Sequence, residues 1–198
     1  MANLWRLKHC VRNLTQLVDT NGENEAKLLP LADLQLSDLI AHDDWLPDDY
    51  AKPDPTHYRQ YLLYADPMDR FSVVSFVWGP GQSTPIHNHT VWGLIGVLRG
   101  GEMCTSYTLT DGGLAPGATC RLTPGMIDAV SPRIGDIHQV SNAFEDRVSI
   151  SIHIYGGDIG AIQRHVFDPA KGQAKPFTSH YSNSVLPNLW GHFQGETS

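Results

Sequence analysis

RVSISIHIYGG, residues 147–157, alternates without a break: Ser149, Ser151, His153 and Tyr155 fall on one side of an extended chain, Val148, Ile150, Ile152 and Ile154 on the other. A helix, with its period of 3.6, would scatter both sets around its axis. The stretch therefore predicts a strand with one apolar and one polar face. The isoleucines pack either under a helical layer or against a second sheet. The polar face is either a solvated outer surface or the lining of a site.

Similar runs precede it: YRQYLLYA (58–65), RFSVVSFVW (70–78), VWGLIGVL (91–98) and GEMCTSYTL (101–109), punctuated by Gly, Pro and Asp. No helical pattern separates them, which predicts an antiparallel all-β body of sandwich or jelly-roll type rather than a parallel α/β sheet. Toward the N-terminus the period changes. Leu4, Leu7, Val11, Leu14 and Val18 mark one face of a helix that stops near Asn21-Gly22, and a second helix is predicted over about Leu31 to Asp43. Pro47, Pro53 and Pro55 then break the chain into an extended connector. The expected organisation is one domain over 1–198, with a helical cap and connector at 1–55, the β body at 56–168 and a surface wrap at 169–198.

A net charge of −7, with no basic stripe, argues against nucleic acid or a membrane surface as partner and for a small molecule. No run approaches the roughly 18 apolar residues of a spanning helix, and MANLWRLKHC lacks the uninterrupted apolar stretch of a signal peptide. Cys10, Cys104 and Cys120 form no CxxC pair. A cytoplasmic protein with reduced thiols is the expectation, as monomer or homo-oligomer.

In PIHNHTVWG (85–93), His87 and His89 stand at i and i+2, a spacing that turns both imidazoles to one face of a strand. Exposed histidines also fall at this spacing by chance. Around the pair stand Gly81, Pro85 and Gly100, and a later segment, GMIDAVSPRIGDIHQVSN (125–142), carries Pro132, Gly135, His138 and Asn142. Together these resemble the two motifs of the cupin superfamily, with one extra residue between Pro132 and Gly135. The resemblance covers about residues 81–142 and implies an all-β double-stranded β-helix, a jelly-roll barrel, in which His87, His89 and His138 converge as metal ligands.

One departure is informative. Most metal-binding cupins place a glutamate ligand where this chain has Gly93, and no carboxylate lies between His89 and Glu102. The implied site is three neutral imidazoles, which leave a divalent ion's charge uncompensated and favour an anionic ligand such as a thiolate. Iron in a variant of the two-His-one-carboxylate site and zinc with three His and a water are the competing metals.

Ser151, His153 and Tyr155 resemble the Ser-x-His-x-Tyr triad of the thiol dioxygenases, the family containing cysteine dioxygenase. The resemblance implies one Fe(II) per chain with no organic cofactor, Tyr155 facing the metal, His153 orienting it and Ser151 fixing the His153 tautomer. Gly93 rules out the cysteine–tyrosine crosslink of the animal enzymes. Where those enzymes hold an amino-acid carboxylate with an early-strand arginine, this chain offers Gln60. Bacterial members with Gln there resemble 3-mercaptopropionate dioxygenase and bind the carboxylate with an arginine after the Tyr strand, a place Arg164 fits.

If the register slipped by one, Arg59 rather than Gln60 would face the pocket. The plain alternative for Arg164 is a surface ion pair. The expected activity is conversion of 3-mercaptopropionate to 3-sulfinopropionate with O2. L-Cysteine dioxygenase is the nearest alternative, and a non-catalytic metal-binding cupin module the one outside enzymes. Trp92 is expected in the core or pocket wall, and Cys104 as a buried thiol.

Overall fold

The structure is a computed structural model that describes residues 3–22 and 24–191. The first helix, α1, spans Trp5–Asn21 and the second, α2, Glu25–Ile40. α1 follows its apolar period closely, burying Leu7, Cys10, Val11, Leu14 and Val18. α2 begins six residues before the expected Leu31 and ends short of Asp43. Asn24 caps it by accepting the Lys27 amide at 3.2 Å, and Glu25 favours the helix N-terminus. Pro30 hid this start, yet it is exposed and costs only the amide bond to a first-turn carbonyl. A single 3-10 turn at Asp48–Tyr50 interrupts the proline-rich connector.

Ten strands follow: β1 Arg59–Ala65, β2 Ser72–Trp78, β3 Gly93–Arg99, β4 Glu102–Thr110, β5 Gly113–Leu122, β6 Ile127–Val130, β7 Ile137–Asn142, β8 Ser149–Tyr155, β9 Arg164–Phe167 and β10 Ala174–Phe177. One antiparallel sheet has the order β1-β2-β8-β3-β6. The facing layer begins β5-β4-β7. Its next member is the stretch around 83–87, bridged to β7 at Ser83–Ser141 and His87–His138 and to β9 at His87–Val166; β9 then pairs with β10. Val74, Phe76, Trp78 and Val97 from the first layer meet Cys104, Leu122 and Val140 from the second, closing a barrel interior.

The two open readings of β8 are resolved by its neighbours. Ile150, Ile152 and Ile154 pack with Leu28, Leu36 and Ile40 of α2, so the apolar face lies under the helical cap. Each of these fully buried aliphatic chains contributes about 1.5–3 kcal/mol. Ser149, Ser151, His153 and Tyr155 are buried on the opposite face, inside the barrel. Cross-strand register extends that face outward: Ser151 pairs with Phe76, and Phe76 with Gln60. Gln60 therefore shares the inner face, whereas Arg59 lies on the other and is bonded to Asp54.

After β10 the chain runs beside β1, where the Ser182 amide donates to Gln60 O at 2.7 Å and the Leu62 amide donates to Asn183 Oδ1 at 2.8 Å. Residues 192–198 of the expected wrap lie outside the described residues. No helix among the described residues is long and apolar enough to cross a membrane.

Candidate metal centre

His138 comes from β7, and His87 lies opposite it: each backbone amide donates to the other's carbonyl at 3.0 Å. His89 follows where the chain has left the bridged stretch, at a bend in which Thr90 takes φ of 63°. The three rings form a nearly equilateral triangle, with centroids 4.9, 4.8 and 4.8 Å apart. One nitrogen from each lies within 4.8 Å of the others, and all three residues are buried.

The second nitrogen of each ring has a partner that fixes its proton. Nδ1 of His87 is 3.0 Å from the Pro85 carbonyl, which can only accept. Nδ1 of His89 donates to Asp136 Oδ1 at 3.0 Å, and the other contacts of Asp136 are the amides of His89 and Thr90, both at 2.9 Å. Nδ1 of His138 is 3.4 Å from Cys104 Sγ, and that thiol donates to Asp128 Oδ2 at 3.4 Å, leaving sulfur lone pairs for the imidazole N–H. In this arrangement every Nε2 carries a lone pair and no proton. Burial pushes the pKa of His87, His89 and His138 below the ordinary histidine value, keeping the uncharged form at neutral pH. His89 Nε2 is buried with no hydrogen-bond partner, an atom that a metal ion would satisfy.

Beside the triangle runs a hydrogen-bonded chain. Ser151 Oγ is 2.7 Å from His153 Nε2, and His153 Nδ1 is 2.8 Å from the Tyr155 hydroxyl. The Tyr155 ring stacks on His89 at 5.5 Å, and the His153 ring on Phe76 at 4.0 Å. Trp78 Nε1 donates to Ser151 Oγ at 3.3 Å. Burial raises the pKa of Tyr155 and lowers that of His153, so both stay neutral near pH 7.

Arg164, the first residue of β9, is no surface residue: 3% of it is exposed. Its Nη2 donates to Ser179 Oγ at 2.5 Å, its guanidinium lies 4.7 Å over the Phe177 ring, and its Nε is buried without a partner. It pairs with no carboxylate among the described residues. It is close enough to His87, His89 and Tyr155 to act electrostatically on each. Gln60 and Arg59 both line a neighbouring pocket of about 370 Å³ with Tyr58, Ser179 and Tyr181, Arg59 reaching it from the outer-face register while bonded to Asp54. The larger groove, about 1030 Å³ between α1, β1 and residues 186–190, contains none of the three imidazoles.

Gly93 is paired with Tyr155 in the β3–β8 ladder, and a Cβ there would stand 2.8 Å from Tyr155 Cδ1 and 3.1 Å from Val130 Cγ2. Any side chain at this position would push the Tyr155 ring. Gly93→Ala is expected to lower stability by about 1–3 kcal/mol in urea unfolding; an unchanged midpoint would show that the ring yields freely.

Sequence reasoning passed over three acidic residues, Asp136, Asp128 and Glu102, and the contact of Cys104 with His138. Asp136 sits two residues before His138, so strand alternation could have placed it toward the site. Glu102 carried no such signal. It is fully buried, and burial raises its pKa to about 7 against the opposing effect of nearby Ser151 and Trp78. A carboxyl with a raised folded pKa holds a proton that the unfolded chain releases above about 4.5. Its stabilising contribution is thus complete below that pH and is lost as pH rises through about 7. The expected difference is about 3 kcal/mol, and Glu102→Gln should remove it when unfolding is compared at about pH 5 and 8. Equal pH slopes in the two proteins contradict this assignment.

The two facing antiparallel layers with imidazoles between them are a double-stranded β-helix of the cupin kind, holding a buried histidine cluster suited to a metal ion. No family model matches the chain. It is similar in backbone to an RmlC-like cupin from Desulfovibrio desulfuricans, at 19% identity and TM-score 0.43 over 58% of this chain and 96% of that one. A double-stranded β-helix protein from Klebsiella pneumoniae gives 17% identity and TM-score 0.44 over 68% and 97%. An oxalate oxidase in complex with glycolate gives 15% and 0.45 over 60% of each chain. These are likenesses of backbone, and the chemistry of the site rests on its own residues.

Proposed function

We propose that this chain is a non-haem iron thiol dioxygenase that converts a small thiol carboxylate, 3-mercaptopropionate, to its sulfinate. The observation that carries the reading is Arg164, a buried cation with an unsatisfied Nε and no acidic partner among the described residues, set beside three neutral imidazoles. A buried charge of this kind is costly until an anion meets it. A carboxylate is the matching anion, because paired N–H groups of a guanidinium fit its two oxygens.

The donor set fits iron(II): three neutral nitrogens with their protons directed elsewhere, one of them orphaned. Bound to His87, His89 and His138, the metal would supply the place where a thiolate and dioxygen meet, with no carboxylate ligand competing with the substrate's negative charge. The chain's own groups do the rest. Arg164 holds the substrate carboxylate, and Tyr155 offers its hydroxyl to charge developing in the pocket. His153 fixes the Tyr155 hydroxyl, and Ser151 fixes the His153 tautomer. The overall reaction balances without a co-reductant: R–S⁻ and O2 give R–SO2⁻, both oxygen atoms bonding to sulfur, which loses the four electrons that dioxygen gains.

L-Cysteine is the weaker substrate in this reading. The resemblance ties cysteine to an arginine on the early strand, and here Arg59 lies on the outer face with Asp54 while Gln60 has the inner register. Iron-loaded protein mixed anaerobically with each thiol and then exposed to oxygen is expected to give sulfinate faster from 3-mercaptopropionate, followed by mass spectrometry. Absence of sulfinate from both thiols would sink the proposal.

A further inference from the structure

On the Nδ1 side of His138 the histidine triangle meets a second cluster. Cys104 on β4 and His138 on β7 are diagonal neighbours in the ladder that pairs Cys104 with Val140 and Ser106 with His138, so both side chains point to one face. Asp128, from β6 of the facing layer, closes the third side. Cys104 Sγ is 3.4 Å from Asp128 Oδ2 and 3.4 Å from His138 Nδ1, and one ligand atom from each of the three lies within 4.8 Å of the others. We propose that Cys104, Asp128 and Nδ1 of His138 form a second cation site, selective for a thiophilic dication such as zinc, and that filling it takes His138 away from the inner triangle.

The donor set and its spacing both suit zinc. Bonds of about 2.3 Å to sulfur and about 2.0 Å to nitrogen or oxygen, set at tetrahedral angles, hold sulfur about 3.5 Å from each of the other two donors. Both sulfur edges of this cluster already have nearly that length. The edge between Asp128 and His138 closes by rotation of a carboxyl whose other oxygen accepts the Ala129 amide at 3.0 Å. A thiolate and a carboxylate cancel the charge of one dication, so His138 enters as a neutral imidazole and the site as a whole carries no net charge. The inner triangle, three imidazoles without an anion, has no such compensation, and a thiolate ligand selects zinc over iron(II). A water takes the fourth position. Asp128 is half-buried, and Cys120, exposed on the edge strand β5 opposite Cys104, marks the side open to solvent.

Binding at this site and loss of the inner ligand follow from one proton count. Before an ion enters, the Cys104 thiol donates to Asp128 and the Nδ1–H of His138 donates to sulfur. The entering dication forms its bond to sulfur as the thiol proton leaves to solvent, and no electron is transferred. It also takes the Nδ1 lone pair, so the imidazole proton moves to Nε2. Nε2 then presents an N–H to the triangle where a lone pair is needed, and His87 and His89 alone do not enclose an ion. The two nitrogens of His138 thus serve two different metals, one at a time, and the ion on the sulfur side inhibits occupation of the three-His side.

Cadmium is the probe, because it shares zinc's affinity for sulfur and its own resonance reports its ligands. Cadmium-113 NMR of the full metal-free chain with one equivalent of cadmium is expected to show a resonance displaced by one sulfur ligand, lost in Cys104→Ser and retained in Cys120→Ser. Added to the iron-loaded wild type, one equivalent of cadmium should release iron into the filtrate, whereas Cys104→Ser should keep its iron. A resonance typical of nitrogen and oxygen ligands alone, a sulfur shift lost in Cys120→Ser instead, or equal release of iron from Cys104→Ser overturns the inference. If Cys104→Ser does not fold, nitrogen-15-labelled wild type decides the matter: the sulfur-shifted cadmium must couple to Nδ1 of His138, and coupling to Nε2 instead contradicts the site. None of these readouts needs oxidation of a thiol, so failure to form sulfinate and failure of the second cation site are separate results.

Discussion

His89→Ala is expected to give a folded protein that retains almost no iron after desalting and loses at least about a thousandfold in sulfinate formation. His89 is wholly buried, and its Nε2 is the ligand atom that nothing else in the barrel satisfies. Removing it leaves two imidazoles, His87 and His138, joined through backbone bonds but unable to enclose an ion from a third side. Asp136, which holds the Nδ1 of His89, can turn to solvent, so the cost in stability is that of a modest cavity, about 2–3 kcal/mol. Asp136→Asn should act on the same atom more gently, lowering metal affinity about ten- to a hundredfold by loosening the ring and its tautomer. Elemental analysis with circular dichroism separates the cases. Iron near one per chain in folded His89→Ala would contradict the three-His assignment.

The alternation in β8 was legible because it is local, but the meaning of its polar face was not. Solvent and a barrel interior select the same side chains, and only the placement of Phe76 and Val97 beside Ser151 on the same sheet, with Val140 in the facing layer, shows which one surrounds them. The histidine pair was legible as a spacing, but its geometry is not that of a regular strand. His87 sits between β7 and β9, and His89 reaches the site after a turn through Thr90. The second layer was the least readable part. β9 and β10 are four residues each, the first at the end of the expected β body and the second in a tail rich in turn-forming residues, and they are stabilised by pairing rather than by local pattern. The start of α2 was hidden by Pro30, since sequence alone does not tell that this proline faces outward in an otherwise capped helix. Glu102, following a Gly-Gly turn, reads as a surface residue. Its burial follows from the facing of β4 against β2 and β8, a long-range fact.

Arg164 shows the same dependence on distant chain and carries the second large effect. Its guanidinium is held by Phe177 and Ser179, residues of the tail that follows β9. Arg164→Met is expected to raise KM for 3-mercaptopropionate about a hundredfold, the loss of a charged, forked carboxylate contact in a buried site, with a smaller change in kcat. A thiol of similar size without a carboxylate should react equally slowly with both proteins. Stability should move the other way. The unliganded wild type buries a cation that has no ion pair, Asp136 acting on it only from a distance, so a methionine of comparable length should leave the ligand-free protein equally stable or more stable by about 1–4 kcal/mol.

Added 3-mercaptopropionate, under anaerobic conditions, should stabilise the wild type by about 2.7 kcal/mol at a hundred times its Kd and Arg164→Met, with a hundredfold weaker Kd, by only about 0.4 kcal/mol at that concentration. Arg164→Lys should recover only part of the affinity, because an ammonium keeps the charge but supplies neither the planar fork nor the stacking over Phe177. Thermal shifts measured with and without ligand distinguish a carboxylate anchor from a structural cation. If the ligand stabilises wild type and Arg164→Met equally, the substrate carboxylate is held elsewhere in the barrel. The buried charge of Arg164 would then have to be compensated by something other than substrate.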